Sequence, residues 1–142
     1  MNTLLRCACL AAIVLAGCNA TKQAMRTAKG NDWKLVALAG KPVVQASYPK
    51  GEPHLQFSDT AQQVFGNNGC NNFRATYTLA KGVLRFTPGP TTLMACPGTG
   101  EQDFMKTFSE VNNAKRSGDT LHLLRDEAVM LSFVRRWVDG NA

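Results

Sequence analysis

From Trp33 onwards the chain is built from short runs in which apolar and polar residues alternate, and this pattern constrains the fold more than any other feature. Period-two alternation puts every second side chain on one face of a strand, so such runs are half-buried strands. In Phe73–Leu79, Phe73, Ala75, Tyr77 and Leu79 share one face and Arg74, Thr76 and Thr78 the other. Lys81-Gly82 turns the chain, and Val83–Thr87 returns with Leu84 and Phe86 inward, which makes a hairpin. Trp33–Leu38, His54–Phe57 and Gln63–Gly66 read as further strands. Leu121–Leu124 and Val129–Phe133 form a closing hairpin across Arg125-Asp126-Glu127, and Trp137 could extend its second strand. One helix interrupts them. Thr99 and Gln102 have capping-box spacing, Glu101 and Asp103 suit the positive end of a helix dipole, and Phe104, Phe108 and Val111 form an apolar stripe beside Met105. The fold class is therefore α+β: a mainly antiparallel, strongly curved sheet or partly open barrel with one amphipathic helix.

The N-terminus carries an address. Arg6, then an apolar stretch from Cys7 to Leu15, then small residues, has the layout of a secretory signal peptide. The stretch is too short to span a bilayer, which takes roughly 17–25 apolar residues. Leu15-Ala16-Gly17-Cys18 resembles the bacterial lipobox, and that resemblance implies that Cys18 is lipidated and begins the mature protein. Asn19, in place of Asp, leans towards the outer membrane. The expected organisation is a signal peptide over 1–17, a lipidated cysteine and flexible tether over 18–32, and a folded domain over 33–142. Residues 19–32 are polar, and Lys22, Arg26 and Lys29 there read equally as contacts to anionic headgroups or as part of a merely solvated linker.

With Cys7 and Cys9 in the signal and Cys18 acylated, Cys70 and Cys96 remain, in a compartment that permits disulfides. The simplest reading is a bridge; two buried free thiols are the alternative. No metal site is expected, because there is no CxxC and the two histidines, His54 and His122, lie at no ligand spacing from a cysteine. The formal charge of +6 is scattered and does not form a basic stripe, so no nucleic-acid partner is expected. No nucleophile elbow and no zincin motif occur, and no catalytic residue or cofactor is expected.

Gly66-Asn67-Asn68-Gly69-Cys70-Asn71-Asn72-Phe73 running into Tyr77, and Thr91-Thr92-Leu93-Met94-Ala95-Cys96 followed by Glu101 and Phe104, go beyond generic strand chemistry. With Trp33-Lys34-Leu35 they resemble the META-domain family of HslJ-like lipoproteins, over residues 33 to about 134. Ala75 departs from a usual Gly in that pattern, which should affect packing or a bulge. The resemblance implies a compact antiparallel fold and envelope proteins tied to heat stress and to novobiocin tolerance, without an agreed enzymatic mechanism. The expected function is thus a non-catalytic envelope lipoprotein, monomeric, held to the membrane by lipid, that binds an envelope protein or a small ligand. Inhibition of a periplasmic or host enzyme such as a lysozyme is the alternative. Gly69, Cys70, Asn71, Thr92, Met94, Ala95 and Cys96 read first as structural, with Asn67, Asn68, Asn71 and Asn72 as a candidate binding loop.

Overall fold

The alternating runs pair into one antiparallel sheet that curls around a single apolar interior. A computed structural model describes residue 17 and residues 19–136; residues 1–16 of the signal peptide expected over 1–17, the expected lipidation site Cys18 and Trp137 lie outside these residues. Helix α1 (19–28) is followed by β1 (Asp32–Leu38), β2 (Lys41–Pro42), β3 (His54–Phe57), β4 (Gln63–Asn67), β5 (Asn72–Ala80), β6 (Val83–Thr91), α2 (Gly100–Ser109), β7 (Asn113–Ser117), β8 (Thr120–Arg125) and β9 (Ala128–Arg136). The spatial order is β6-β5-β4-β3-β1-β9-β8-β7, with β2 added beside β1. Every strand pair is antiparallel. The sheet does not close: β6 and β7 are its two ends. Leu84 N–H nevertheless donates to Asn112 O at 2.8 Å, so the ends meet at one point. Pro88 and Pro90 lie in edge strand β6, where missing N–H groups discourage edge-to-edge pairing.

The expected inward faces are the buried ones. Leu55, Phe57, Phe73, Ala75, Tyr77, Leu84, Phe86, Leu121, Leu123, Leu131 and Phe133 all face the core. Lys81 and Gly82 have φ of 52° and 78°, the left-handed pair that a two-residue hairpin turn needs to match strand twist. At Ala75 the β5–β6 register shifts, so the alanine sits at a bulge.

Helix α2 packs against β6 and β9. Phe104 and Phe108 are fully buried. Phe108 meets Phe86 at 4.3 Å and Phe73 at 5.7 Å between ring centroids, and Phe104 meets Phe133 edge-on at 6.5 Å. The expected capping box does not form. The Thr99 hydroxyl bonds the Asp103 carboxylate at 2.8 Å, while Thr99 O accepts Asp103 N–H. Tyr77 lies edge-on to Phe57, and its hydroxyl is buried without a hydrogen-bond partner among the described residues.

Besides the two-residue β2, which the sequence did not suggest, two elements depart from the expectation. Residues 19–28, expected as part of a flexible tether, are helical. Thr21, Ala24, Met25 and Ala28 are buried, at the i, i+3, i+4, i+7 spacing of one helix face. The C-terminal carbonyls of α1 are tied down: Trp33 Nε1 donates to Ala28 O at 3.0 Å and Arg116 Nη1 to Thr27 O at 2.9 Å. The Arg116 guanidinium also lies over the Trp33 ring, 5.4 Å from its centroid. A cation and an N–H at a helix C-terminus satisfy its open carbonyls and oppose its dipole. The folded unit therefore begins ahead of Trp33. The second departure is β7, whose NAKRS sequence buries only Ala114 and offers almost no alternation to read.

Phe108→Ala should cost about 3–5 kcal/mol in chemical denaturation, the usual cost of emptying a buried aromatic site. Unchanged stability would mean that α2 is not part of the core.

Candidate functional site

The Asn-rich turn between β4 and β5 folds its middle inward and leaves its two ends nearer the surface. Asn68, Cys70 and Asn71 are buried, while Asn72 is exposed and Asn67 half-buried. Asn68 Oδ1 accepts the N–H groups of Cys70 at 3.1 Å and Asn71 at 2.7 Å, an Asx turn that reverses the chain. Asn67 Oδ1 accepts Gly69 N–H, and its Nδ2 donates to Asn72 Oδ1. Gly69 sits at φ 92°, and a Cβ there would come 2.2 Å from the Tyr48 ring. A Cβ on Gly100 would come 2.2 Å from Ser47 O. The two glycines thus let Tyr48 pack, buried, between the turn and the start of α2. Burial, with Asp103 adding to it, pushes the Tyr48 phenol above its ordinary value.

Asn71 reaches across to the segment that follows β6. Its Oδ1 accepts Met94 N–H at 2.7 Å and its Nδ2 donates to Met94 O at 3.0 Å, so one carboxamide pairs with both backbone groups of one residue. The same Oδ1 accepts the Thr92 hydroxyl at 2.8 Å. The same Nδ2 donates to Glu101 Oε1 at 2.7 Å, and Asn68 Nδ2 donates to that oxygen at 3.2 Å. Cys70 and Cys96 are joined, with 2.07 Å between sulfurs and 6.0 Å between Cα atoms. The turn, the segment Thr92–Cys96 and the first turn of α2 are therefore one knot of hydrogen bonds closed by a disulfide.

Of the four asparagines expected as a binding loop, Asn68 and Asn71 spend their amides inside this knot. Asn67 and Asn72 reach the surface. What the knot presents outward is the segment it holds: Leu93 is 92% exposed and Met94 48%. Sequence reading had no means to single out Tyr48, whose partners are two glycines distant in the chain.

The histidines are not brought together. His54 lies on β3 and His122 on β8, with β1 and β9 between them. His54 Nδ1 contacts Glu52 O at 3.0 Å, and since a carbonyl only accepts, that nitrogen carries the proton. His122 Nδ1 meets Ser132 Oγ at 2.9 Å. No group of three potential metal-ligating side chains occurs among the described residues.

A family model, META domain, matches residues 23–137. The chain belongs to the META-domain family. That match begins inside α1, in agreement with the helix being part of the folded unit. An NMR structure of a protein from Burkholderia xenovorans resembles this META domain with a TM-score of 0.61 and 24% identity, over 80% of this chain and 87% of that one. A DUF4847 family protein from Bacteroides vulgatus shares the fold at 11% identity, with a TM-score of 0.54 over 75% of this chain and 93% of that one. No curated protein matches significantly in sequence.

Asn71→Ala should lower stability by about 2–4 kcal/mol, because it strands the Met94 amide and its carbonyl inside the knot. Asn72→Ala, at the surface, should stay within about 0.5 kcal/mol. Reducing the disulfide should remove roughly 3.5 kcal/mol on the chain-entropy account. Equal effects of the two Asn substitutions would contradict the knot.

Burial, and secondarily Lys115, push the His122 imidazole below its ordinary 6.5. The unfolded chain then takes up a proton before the folded one does. Stability is full above pH 6.5 and falls as the pH drops through the folded value. A thermal-melt series from about pH 7.5 to 5 should show this decline, and His122→Gln should flatten it.

Proposed function

We propose that this META domain is a non-catalytic, lipid-anchored envelope protein that works by binding a partner, in envelope or heat stress and in novobiocin-type tolerance. The observation that carries the reading is the clamped segment Thr92–Cys96. A loop with Leu93 almost wholly in water would ordinarily be mobile. Here the Asn71 carboxamide, the Glu101 carboxylate and a disulfide hold its backbone. Prior ordering of an exposed apolar side chain lowers the entropy cost of binding, which is what a recognition loop needs.

The position of Gly17 sets how an anchored domain would be presented. Gly17 shares a surface hollow with Lys81, Gly82 and Val83, at the start of β6. Leu93 follows the other end of that nine-residue strand, about 25–30 Å away at the usual rise. A lipid on Cys18 would place the clamped loop on the side facing away from the membrane.

Inhibition of a lysozyme-like enzyme is the second reading, favoured by the same feature. A rigid, disulfide-held loop with a projecting side chain suits insertion into a cleft. Assaying the purified protein against lysozyme separates the two.

Intact-mass analysis of membrane-extracted protein should give a chain starting at Cys18 with acyl mass added, and Cys18→Ala should release the domain from membranes and impair stress tolerance. Leu93→Asp should keep the fold and the anchor but lose tolerance. An unmodified, water-soluble mature chain would refute the anchor, and full tolerance with Leu93→Asp would refute the loop.

A further inference from the structure

The outer face of the sheet carries a groove of about 550 Å³, lined by His54, Gln56, Phe65, Asn72, Arg74 and the wall Pro90–Thr92. Its floor follows from register. Gln56 pairs with Phe65 and Phe65 with Arg74, forming one row across β3, β4 and β5. His54 pairs with Asn67 and Asn67 with Asn72, forming the next row. The rows are two residues apart, so these outward side chains cover about 10 Å across the strands and about 7 Å along them.

Arg74 differs from the other cations of this face. Lys34 bonds Glu52, and Arg136 pairs with Asp32 at 3.4 Å and reaches Glu52 at 3.8 Å. The Lys34 hydrogen bond holds the Glu52 carboxyl below its ordinary range, so that cluster is self-neutralised. Arg74 instead stacks on Phe65, 4.9 Å from the ring centroid, and no carboxylate among the described residues pairs with it. Stacking fixes the guanidinium plane and leaves its N–H edge available, the arrangement that meets a carboxylate with two parallel bonds. The Gln56 carboxamide makes no hydrogen bond among the described residues, and Asn72 uses its Oδ1 on Asn67 while its Nδ2 donates to none of them. With Nδ1 of His54 donating to Glu52 O, its Nε2 is left as an acceptor when the ring is neutral.

We propose that this groove binds a carboxylate-bearing saccharide: the carboxylate on Arg74, hydroxyl or acetamido groups on Gln56, Asn72 and His54, and the C–H face of the ring against Phe65 and Pro90. One unpaired cation among neutral amides matches a single negative charge; a phosphate dianion would call for more cations than the groove holds. The site deepens the binding reading above; it shares Thr92 with the clamped segment, while Leu93 lies outside its lining.

The test is a titration of the purified full chain in detergent micelles, followed by backbone amide chemical shifts. The probe is N-acetylmuramic acid, and the control is N-acetylglucosamine, which has the same ring without the lactyl carboxylate. Shifts should concentrate at Gln56, Phe65, Asn72 and Arg74. Affinity should be about tenfold weaker for the control and for Arg74→Gln, the loss of one charge-assisted pair, and partly kept in Arg74→Lys. Arg74 is exposed, so these variants should fold, and an unchanged melting temperature checks this. Equal response to both sugars, shifts centred elsewhere, or no response at millimolar probe would overturn the groove. Any of these with membrane attachment intact leaves the anchored-protein reading standing, whereas loss of attachment with binding intact rejects the anchor alone.

Discussion

The pairing of the Asn71 carboxamide with the backbone of Met94 is the contact on which the upper end of the molecule depends. A side-chain amide carries the same donor and acceptor as a peptide group, so Asn71 acts as one residue of an absent strand. It joins the β4–β5 turn to a segment with no ladder of its own. Glu101 completes the arrangement by accepting from Asn68 and Asn71 together, which also brings a negative charge to the first turn of α2, where the helix dipole favours it. The disulfide fixes the same junction covalently. The helix start, the turn and the exposed loop are therefore tied together.

Below that junction the organising force is aromatic burial. The rings of Phe73, Phe86, Phe104, Phe108 and Phe133 form a chain of contacts from β5 and β6 through α2 to β9. Helix α2 thereby supplies an apolar wall across the interior, from end strand β6 to interior strand β9. A barrel with two unpaired edges can stay stable if a helix supplies the missing apolar wall, and the prolines of β6 keep the nearer edge from recruiting a neighbour.

Strands with strong alternation could be read directly. His54–Phe57 has the expected bounds, and the β5–β6 hairpin has its turn at Lys81-Gly82 as the residues imply. Ala24 and Ala28 were hard to read because alanine and threonine carry little apolar signal. Yet their small size is what lets the helix lie close to Trp33 and Arg116. The Asn-rich turn shows the opposite limit. Four asparagines look alike in the sequence, and only the alternation of the flanking strands, with the turn's own geometry, decides that Asn68 and Asn71 face inward. The Cys70–Cys96 pair was legible from the cysteine count once export was expected. The outer-face groove was not, because it exists only once register places Gln56, Phe65 and Arg74 in one row.

Helix α1 leaves almost no slack between the sheet and residue 17. A chain hung from a membrane by a loose linker sweeps a hemisphere and meets partners at any angle. With α1 packed on the fold and the anchor placed at Cys18, the domain would instead be a rigid mount with a set orientation. Its reach would equal its own height, and lengthening the N-terminal segment by a few flexible residues would trade a fixed presentation for a search volume.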